Sequence, residues 1–187
     1  MDAVARSVGG EVRERFSLSR WTDEVRTVHG GGELPLVDPR DLAQVQYTSG
    51  TTGQPKGALL HHMGLVTNAS YVAQRLGLER DVLVSPMPLF HTAGSVLSSL
   101  GCVTTCSTYV LPVVFDPKLI LDAVQRHRGG VLFGVPTMFI ALLDQARRQD
   151  YDLTSLRVAS SGGAPVPPEL QRRVRDGLGC ELLLSPA

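Results

Sequence analysis

Between Thr48 and Gly57 the chain carries three glycines, four hydroxyl side chains and a lysine within ten residues. Glycines at Gly50, Gly53 and Gly57 let the backbone turn its N–H groups inward around an anion. The hydroxyls of Thr48, Ser49, Thr51 and Thr52 add donors, and Lys56 adds a point charge. Pro55 stiffens the end of the loop. Lysine is scarce in this chain: Lys56 and Lys118 are the only two among 18 basic residues. A Ser/Thr/Gly loop of this kind suits the terminal phosphates of a nucleotide, whereas a plain flexible loop needs neither the proline nor the rare lysine. Counted from Gly50, the loop fails as a Walker A motif, because Pro55 stands where the second glycine belongs and Gly57 where the hydroxyl residue belongs. No G-x-G-x-x-G opens the first helical crossover, and no G-x-S-x-G is present, so neither a dinucleotide fingerprint nor a hydrolase nucleophile elbow is supported.

Two more segments carry polar groups at suggestive places. One is Pro86-Met87-Pro88-Leu89-Phe90-His91-Thr92-Ala93-Gly94, where a histidine sits between a predicted strand and helix. The other is Ser161-Gly162-Gly163-Ala164-Pro165-Val166-Pro167, where missing side chains would let a flat ligand approach the backbone. Taken alone, His91 reads as a cap or packing residue. His61 and His62 read as solvated first-turn residues, and Arg172, Arg173 and Arg175 as a solvated helix face.

The elements that must position these segments are legible as alternating patterns. Candidate strands are Ala43–Tyr47, Val82–Ser85, Ser107–Leu111, Val131–Val135, Arg157–Ser160 and Glu181–Leu184. Helical stripes run through Leu65, Val66, Ala69, Val72, Ala73 and Leu76, and through Leu119, Ile120, Ala123 and Val124 after the cap-and-proline pair Asp116-Pro117. Two more follow: Phe139, Leu142, Leu143 and Ala146, then Leu170, Val174 and Leu178. Strands alternating with helices of ten to fifteen residues imply βαβ units and an α/β fold, a mainly parallel sheet flanked by helices. The strand runs are apolar on both faces, as a sheet covered on both sides requires. The first forty residues are expected to be a separate N-terminal segment. They are charge-dense up to His29, then Gly30-Gly31-Gly32 and a proline-rich turn read as a linker to a domain at 41–187.

Composition narrows the class. Hydrophobic residues are 43% and charged residues 19% of 187, a globular balance. Lys+Arg and Asp+Glu are 18 each, which leaves no basic footprint for nucleic acid. The longest apolar run, Tyr109 to Phe115, is too short to span a bilayer. The N-terminus is charged where a signal peptide needs its apolar core, and three cysteines suit a reducing cytosol. A zinc site is not expected from Cys102 and Cys106, which lack a second pair. These features lead to the expectation of a cytoplasmic protein without a membrane span.

Tyr47-Thr48-Ser49-Gly50-Thr51-Thr52-Gly53-Gln54-Pro55-Lys56-Gly57 resembles the phosphate-binding signature of the adenylate-forming superfamily, which includes acyl-CoA synthetases, peptide-synthetase adenylation domains and luciferases. The Pro-Leu-Phe-His segment ending at His91, the Gly134-Val135-Pro136-Thr137 junction and the Ser161–Pro167 loop follow in that family's order. The resemblance spans roughly Asp38 to Leu184. Gly57-Ala58-Leu59-Leu60-His61-His62 and the Pro-Met-Pro of 86–88 make the chain most similar to fatty or other carboxylic acyl-CoA synthetases.

The resemblance implies part of that family's large-domain fold and a two-step ligase. A carboxylate and Mg-ATP give acyl-AMP and pyrophosphate, and coenzyme A then takes the acyl group. It implies that Thr48, Ser49, Thr51, Thr52 and Lys56 hold the β- and γ-phosphates while Gly50, Gly53 and Gly57 shape the backbone. Gly163, Ala164 and Pro165 would line the adenine and the acyl entrance, and His91 would position the carboxylate. No metal ligand is assigned, because the family's Tyr-Gly-x-Thr-Glu motif is absent from the sequence. Its ribose-binding aspartate and mobile C-terminal domain are not found either. The chain is therefore expected to be a truncated, inactive piece of such a ligase. A non-catalytic nucleotide-binding remnant, or one subunit of a split enzyme completed by a second chain, is the alternative expectation.

Overall fold

In the inner strands of the main sheet, residues alternate between two buried environments. In the computed structural model, which describes residues 36–48 and 55–184, β3 (Val82–Val84), β4 (Thr108–Val110), β5 (Val131–Gly134), β6 (Val158–Ser161) and β7 (Glu181–Leu184) form one sheet in the order β4-β3-β5-β6-β7. Every pairing in it is parallel. Leu83, Val131, Phe133 and Val158 point to one face, where α1 (His62–Arg75) contributes Ala73. Val84, Leu132, Ala159 and Leu182 point to the other, against α3 (Pro117–His127), α4 (Pro136–Ala146) and α5 (Pro168–Leu178). Period-two alternation with both faces apolar is what a parallel sheet between helical layers demands. The α/β architecture expected from the sequence is the one observed.

Local signals set the helix ends. The Asp116 side chain accepts a hydrogen bond from the Leu119 N–H at 2.8 Å and Pro117 occupies the first helical position, so α3 starts where the sequence places it. Arg128 ends α3 in a left-handed conformation, and Gly179 does the same after α5. Arg157 donates to Asp81 and to the Gly77 carbonyl, joining the approaches to β6 and β3. Arg172 pairs with Glu169 and Arg175 with Glu181, in keeping with a solvated basic face on α5.

Three expectations are corrected. The strand at 43–47, observed as β1 (Leu42–Thr48), does not join the parallel sheet; it pairs antiparallel with β2 (Lys56–His61), a strand that the sequence reading treated as loop running into a helix. The helix expected after His91, for which the sequence reading set no bounds, is a π-helix at Ala93–Leu100 continuing into α2 (Gly101–Thr104). Val66 and Leu119, placed in buried stripes, are exposed; Ala69 and Ala73 of α1, Leu76 just after it, and Leu121 of α3 take the inward positions. Strand β7 pairs with β6 alone among the described residues; Leu182 is buried and Leu184 exposed. The N-terminal segment expected at 1–40 lies, up to residue 35, outside the described residues.

Candidate functional site

The β1–β2 hairpin brackets the glycine-rich segment. Thr48 and Lys56 are cross-strand partners at its open end, and the Thr48 hydroxyl donates to the Lys56 carbonyl at 3.4 Å. Both side chains are exposed, so an ammonium and a hydroxyl face solvent at the point where the glycine-rich loop departs. Ser49, Gly50, Thr51, Thr52 and Gly53 themselves lie outside the described residues. Gly57 has a packing reason for lacking a side chain: a Cβ there would stand 2.9 Å from Cγ1 of Val45 on the facing strand. At the far end of β2, Nδ1 of His61 accepts from the Gly64 N–H at 2.9 Å and caps α1, a more specific task than a solvated first-turn residue.

The chain turns from β3 to β4 on one side of the sheet and then crosses to β5 on the other side of β3. Loops diverge at that switch point, and a crevice opens beyond the carboxyl ends of the strands, the place where open α/β sheets bind ligands. A cavity of about 460 Å³ lies there. Met87 and Pro88 beyond β3, Phe133 and Gly134 at the end of β5, and Gly162 and Gly163 beyond β6 line it together with His91. Gly163 adopts φ +78°, a left-handed conformation that disfavours side chains, and a Cβ there would meet nothing within 4 Å. It therefore leaves open space beside the cavity.

His91 is held by its own backbone turn. Its N–H donates to the Pro88 carbonyl at 3.1 Å, and its carbonyl accepts from Gly94 and Ser95, both at 3.0 Å. Nδ1 accepts from the Ala93 N–H at 3.1 Å, so the neutral ring carries its proton on Nε2, a donor free to face a ligand. Gly94 is required for that turn: a Cβ would stand 2.3 Å from the Pro88 carbonyl oxygen and 2.7 Å from that of Met87.

Of the residues singled out in the sequence, the structure brings His91 and Gly163 to one cavity. Ala164 and Pro165 are exposed on the loop beyond it, and neither Thr48 nor Lys56 lines it. Sequence reasoning missed Gln46, whose Nε2 donates to the Phe90 carbonyl at 3.2 Å and ties the hairpin to the His91 segment. It also missed Phe133 and Leu97 as lining residues. Phe133 had a signal, the Gly134-Val135-Pro136 junction that follows it; Leu97 had none. Among the described residues no group of three His, Cys, Asp or Glu side chains could hold a metal ion, and no helix is long and apolar enough to cross a membrane.

Residues 6–185 match the family described as AMP-binding enzyme, a longer stretch than the motifs alone delimit. The acyl-CoA ligase SID4 of Ajellomyces capsulatus is 41% identical over 140 residues, 74% of this chain and 24% of that protein. The mitochondrial medium-chain acyl-CoA ligase ACSF2 of Macaca fascicularis is 40% identical over 140 residues, 72% of this chain and 23% of that one. ATP-bound MatB from Rhodopseudomonas palustris superposes with a TM-score of 0.80 at 30% identity, covering 89% of this chain and 33% of its own. The chain thus spans about a quarter of the length of these curated relatives.

Proposed function

From the premise that this chain belongs to the AMP-binding enzyme family, whose matched relatives are acyl-CoA ligases, we propose that it forms the phosphate and acyl portions of a carboxylate-activating ligase site. The reaction would join a carboxylic acid to coenzyme A through acyl-AMP at the expense of ATP. The observation that carries this reading is the pairing of Thr48 with Lys56 at the mouth of the glycine-rich loop, on a hairpin tied by Gln46 to the loop of His91. A hydroxyl and an ammonium beside a run of backbone N–H donors fit a polyphosphate.

The roles assigned are positional. Thr48, Ser49, Thr51, Thr52 and Lys56 would hold the terminal phosphates, with Gly50, Gly53 and Gly57 shaping the backbone. His91 would donate from Nε2 to the substrate carboxylate. Gly163, followed by Ala164 and Pro165, would leave room for a flat base. ATP supplies the leaving group when bound, and magnesium would arrive with the nucleotide, since the described residues offer it no ligand cluster. Catalysis of this kind rests on holding reactants in line and stabilising charge, with no covalent work for the protein. The domain at 41–187 would then be a partial adenylation domain.

Thermal unfolding with and without Mg-ATP tests this. A ligand bound only to the folded state, at a hundredfold excess over its Kd, raises the midpoint of a chain this size by about 5–10 °C. The expected result is such a rise in the natural chain and none in Lys56→Ala. No rise in either would overturn the nucleotide assignment. Carboxylate-dependent exchange of pyrophosphate into ATP, lost in Thr51→Ala, would assign full adenylation to this chain. A rise without exchange would assign it nucleotide binding alone, or one part of an enzyme completed by a second chain.

A further inference from the structure

A second cavity, of about 440 Å³, lies between β2, α1 and the π-helix. Its walls are mostly apolar, with Leu60, Leu65 and Val72 beside His61 and Asn68, and the phosphate and carboxylate roles leave them unused. Two residues border both this cavity and the one beside His91: Thr92 and Leu97. In an α-helix two residues five apart point about 140° away from each other. In a π-helix, whose bonds close over five residues, they share a face. The π form is held by side chains at that spacing: the Ser98 hydroxyl donates to the Ala93 carbonyl at 2.9 Å and the Ser99 hydroxyl to the Gly94 carbonyl at 3.0 Å. The winding therefore brings Leu97 to the same side of the helix as Thr92, and this pair borders both cavities.

Resting on the ligase reading above, we propose that Leu97 is a specificity-determining partition: it ends the compartment that takes the hydrocarbon tail of the substrate acid, and the second cavity is the space a longer tail would enter. The head of the acid stays beside His91. The tail runs along Phe133 towards Leu97, whose half-buried isobutyl group bars the way to the space behind it. Shortening Leu97 would join two cavities of nearly equal size, about 460 and 440 Å³.

The test is calorimetric binding of straight-chain saturated carboxylates, from butanoate to dodecanoate, to the 187-residue chain. In the natural chain affinity should rise about fourfold per added methylene while the tail is being buried, and then level off. Leu97→Ala should move the levelling point to longer acids, Leu97→Phe should move it to shorter ones, and butanoate affinity should change less than twofold in both. Cooperative unfolding is checked for each variant. If Leu97→Ala does not fold, Leu97→Phe, which only fills space in a half-buried position, carries the test. The same levelling point in all chains, or no acid bound by the natural chain, overturns the partition. The Lys56-dependent response to Mg-ATP reads the phosphate loop apart from this cavity, so the nucleotide reading fails or survives separately.

Discussion

The parallel sheet and the β1–β2 hairpin obey opposite rules. In the sheet the four residues of β5 and the four of β6 are all buried, and each strand is covered by helices on both faces. In the hairpin, burial along β2 is limited to Leu60, and Val45, Tyr47 and Leu59 are exposed. The sheet is held by apolar area removed from water; the hairpin is held by its ladder of backbone bonds and by side-chain ties such as that of Gln46. Two-stranded hairpins are marginal on their own. The difference separates labour: a rigid support, and a lightly held element that presents a polar loop. Low local stability is where ligand-binding loops are drawn from.

Substitution should show the contrast at its largest in side-chain truncation. Phe139 is fully buried between α4 and the sheet, while Leu59 on β2 is 69% exposed. Phe139→Ala is expected to cost about 3–5 kcal/mol through lost burial and a residual cavity. Leu59→Ala should stay within about 0.5 kcal/mol of the natural chain. Urea unfolding measures both, and comparable losses would erase the distinction between support and hairpin.

A smaller effect comes from Cys180, just before β7. Burial pushes its thiol from 9.0 up to about 12. The folded state thus keeps a proton that the unfolded chain gives up above pH 9, so the folded state binds more protons there and loses stability as pH rises. The stability is intact below pH 9 and falls progressively from pH 9 towards pH 12, by about 1.4 kcal/mol per pH unit at most. Cys180→Ala should make this alkaline limb shallower in unfolding midpoints taken from pH 8 to 10.5, leaving the part due to Cys102, whose thiol burial raises to about 11. An unchanged slope would place the alkaline sensitivity elsewhere. The hairpin's described strands hold no buried titratable group, so no comparable limb is expected from them.

The same division explains what could be read from the sequence. Strands β3 and β5 to β7, and helices α1, α3, α4 and α5, were legible because burial on a fixed face imposes a period, as with Ile120, Ala123 and Val124 or Leu170, Val174 and Leu178. Strand β2 was not: Lys56-Gly57-Ala58-Leu59 is exposed throughout, and its extended form is dictated by pairing with β1 across the loop. The π-helix was hidden because small residues, Ala93, Gly94, Ser95, Ser98 and Ser99, carry no 3.6-residue apolar pattern. Its winding comes from hydroxyls bonded five residues back and from the approach of Gly94 to Pro88. At the site, His91 and Gly163 could be read from motifs. Leu97 could not, since its place on two cavities follows from a helix type that residue order does not announce.

Gln46 is where the two regions meet, and its removal should give a small change in global stability with a localised consequence. Its Nε2 shares its hydrogens between the Phe90 and Tyr47 carbonyls, at 3.2 and 3.3 Å, and its Oε1 accepts from Gln44 at 2.9 Å. These bonds lie at or near the surface, so water replaces most of what each contributes, and Gln46→Ala should cost about 0.5–1 kcal/mol in global unfolding. Local opening is a different quantity. The bond to Phe90 is a side-chain tie from β1 to the loop that carries His91, and without it the hairpin can part from that loop without disturbing the sheet. Amide hydrogen exchange should therefore speed up across Gln44–Thr48 and Gly57–Leu60 and at Ala93, while the amides of Val131–Gly134 and Val158–Ser161 keep their natural protection. Uniform acceleration in both regions would show that hairpin and sheet open as one unit. No acceleration anywhere would show that the ladder between β1 and β2, and not Gln46, holds the hairpin together.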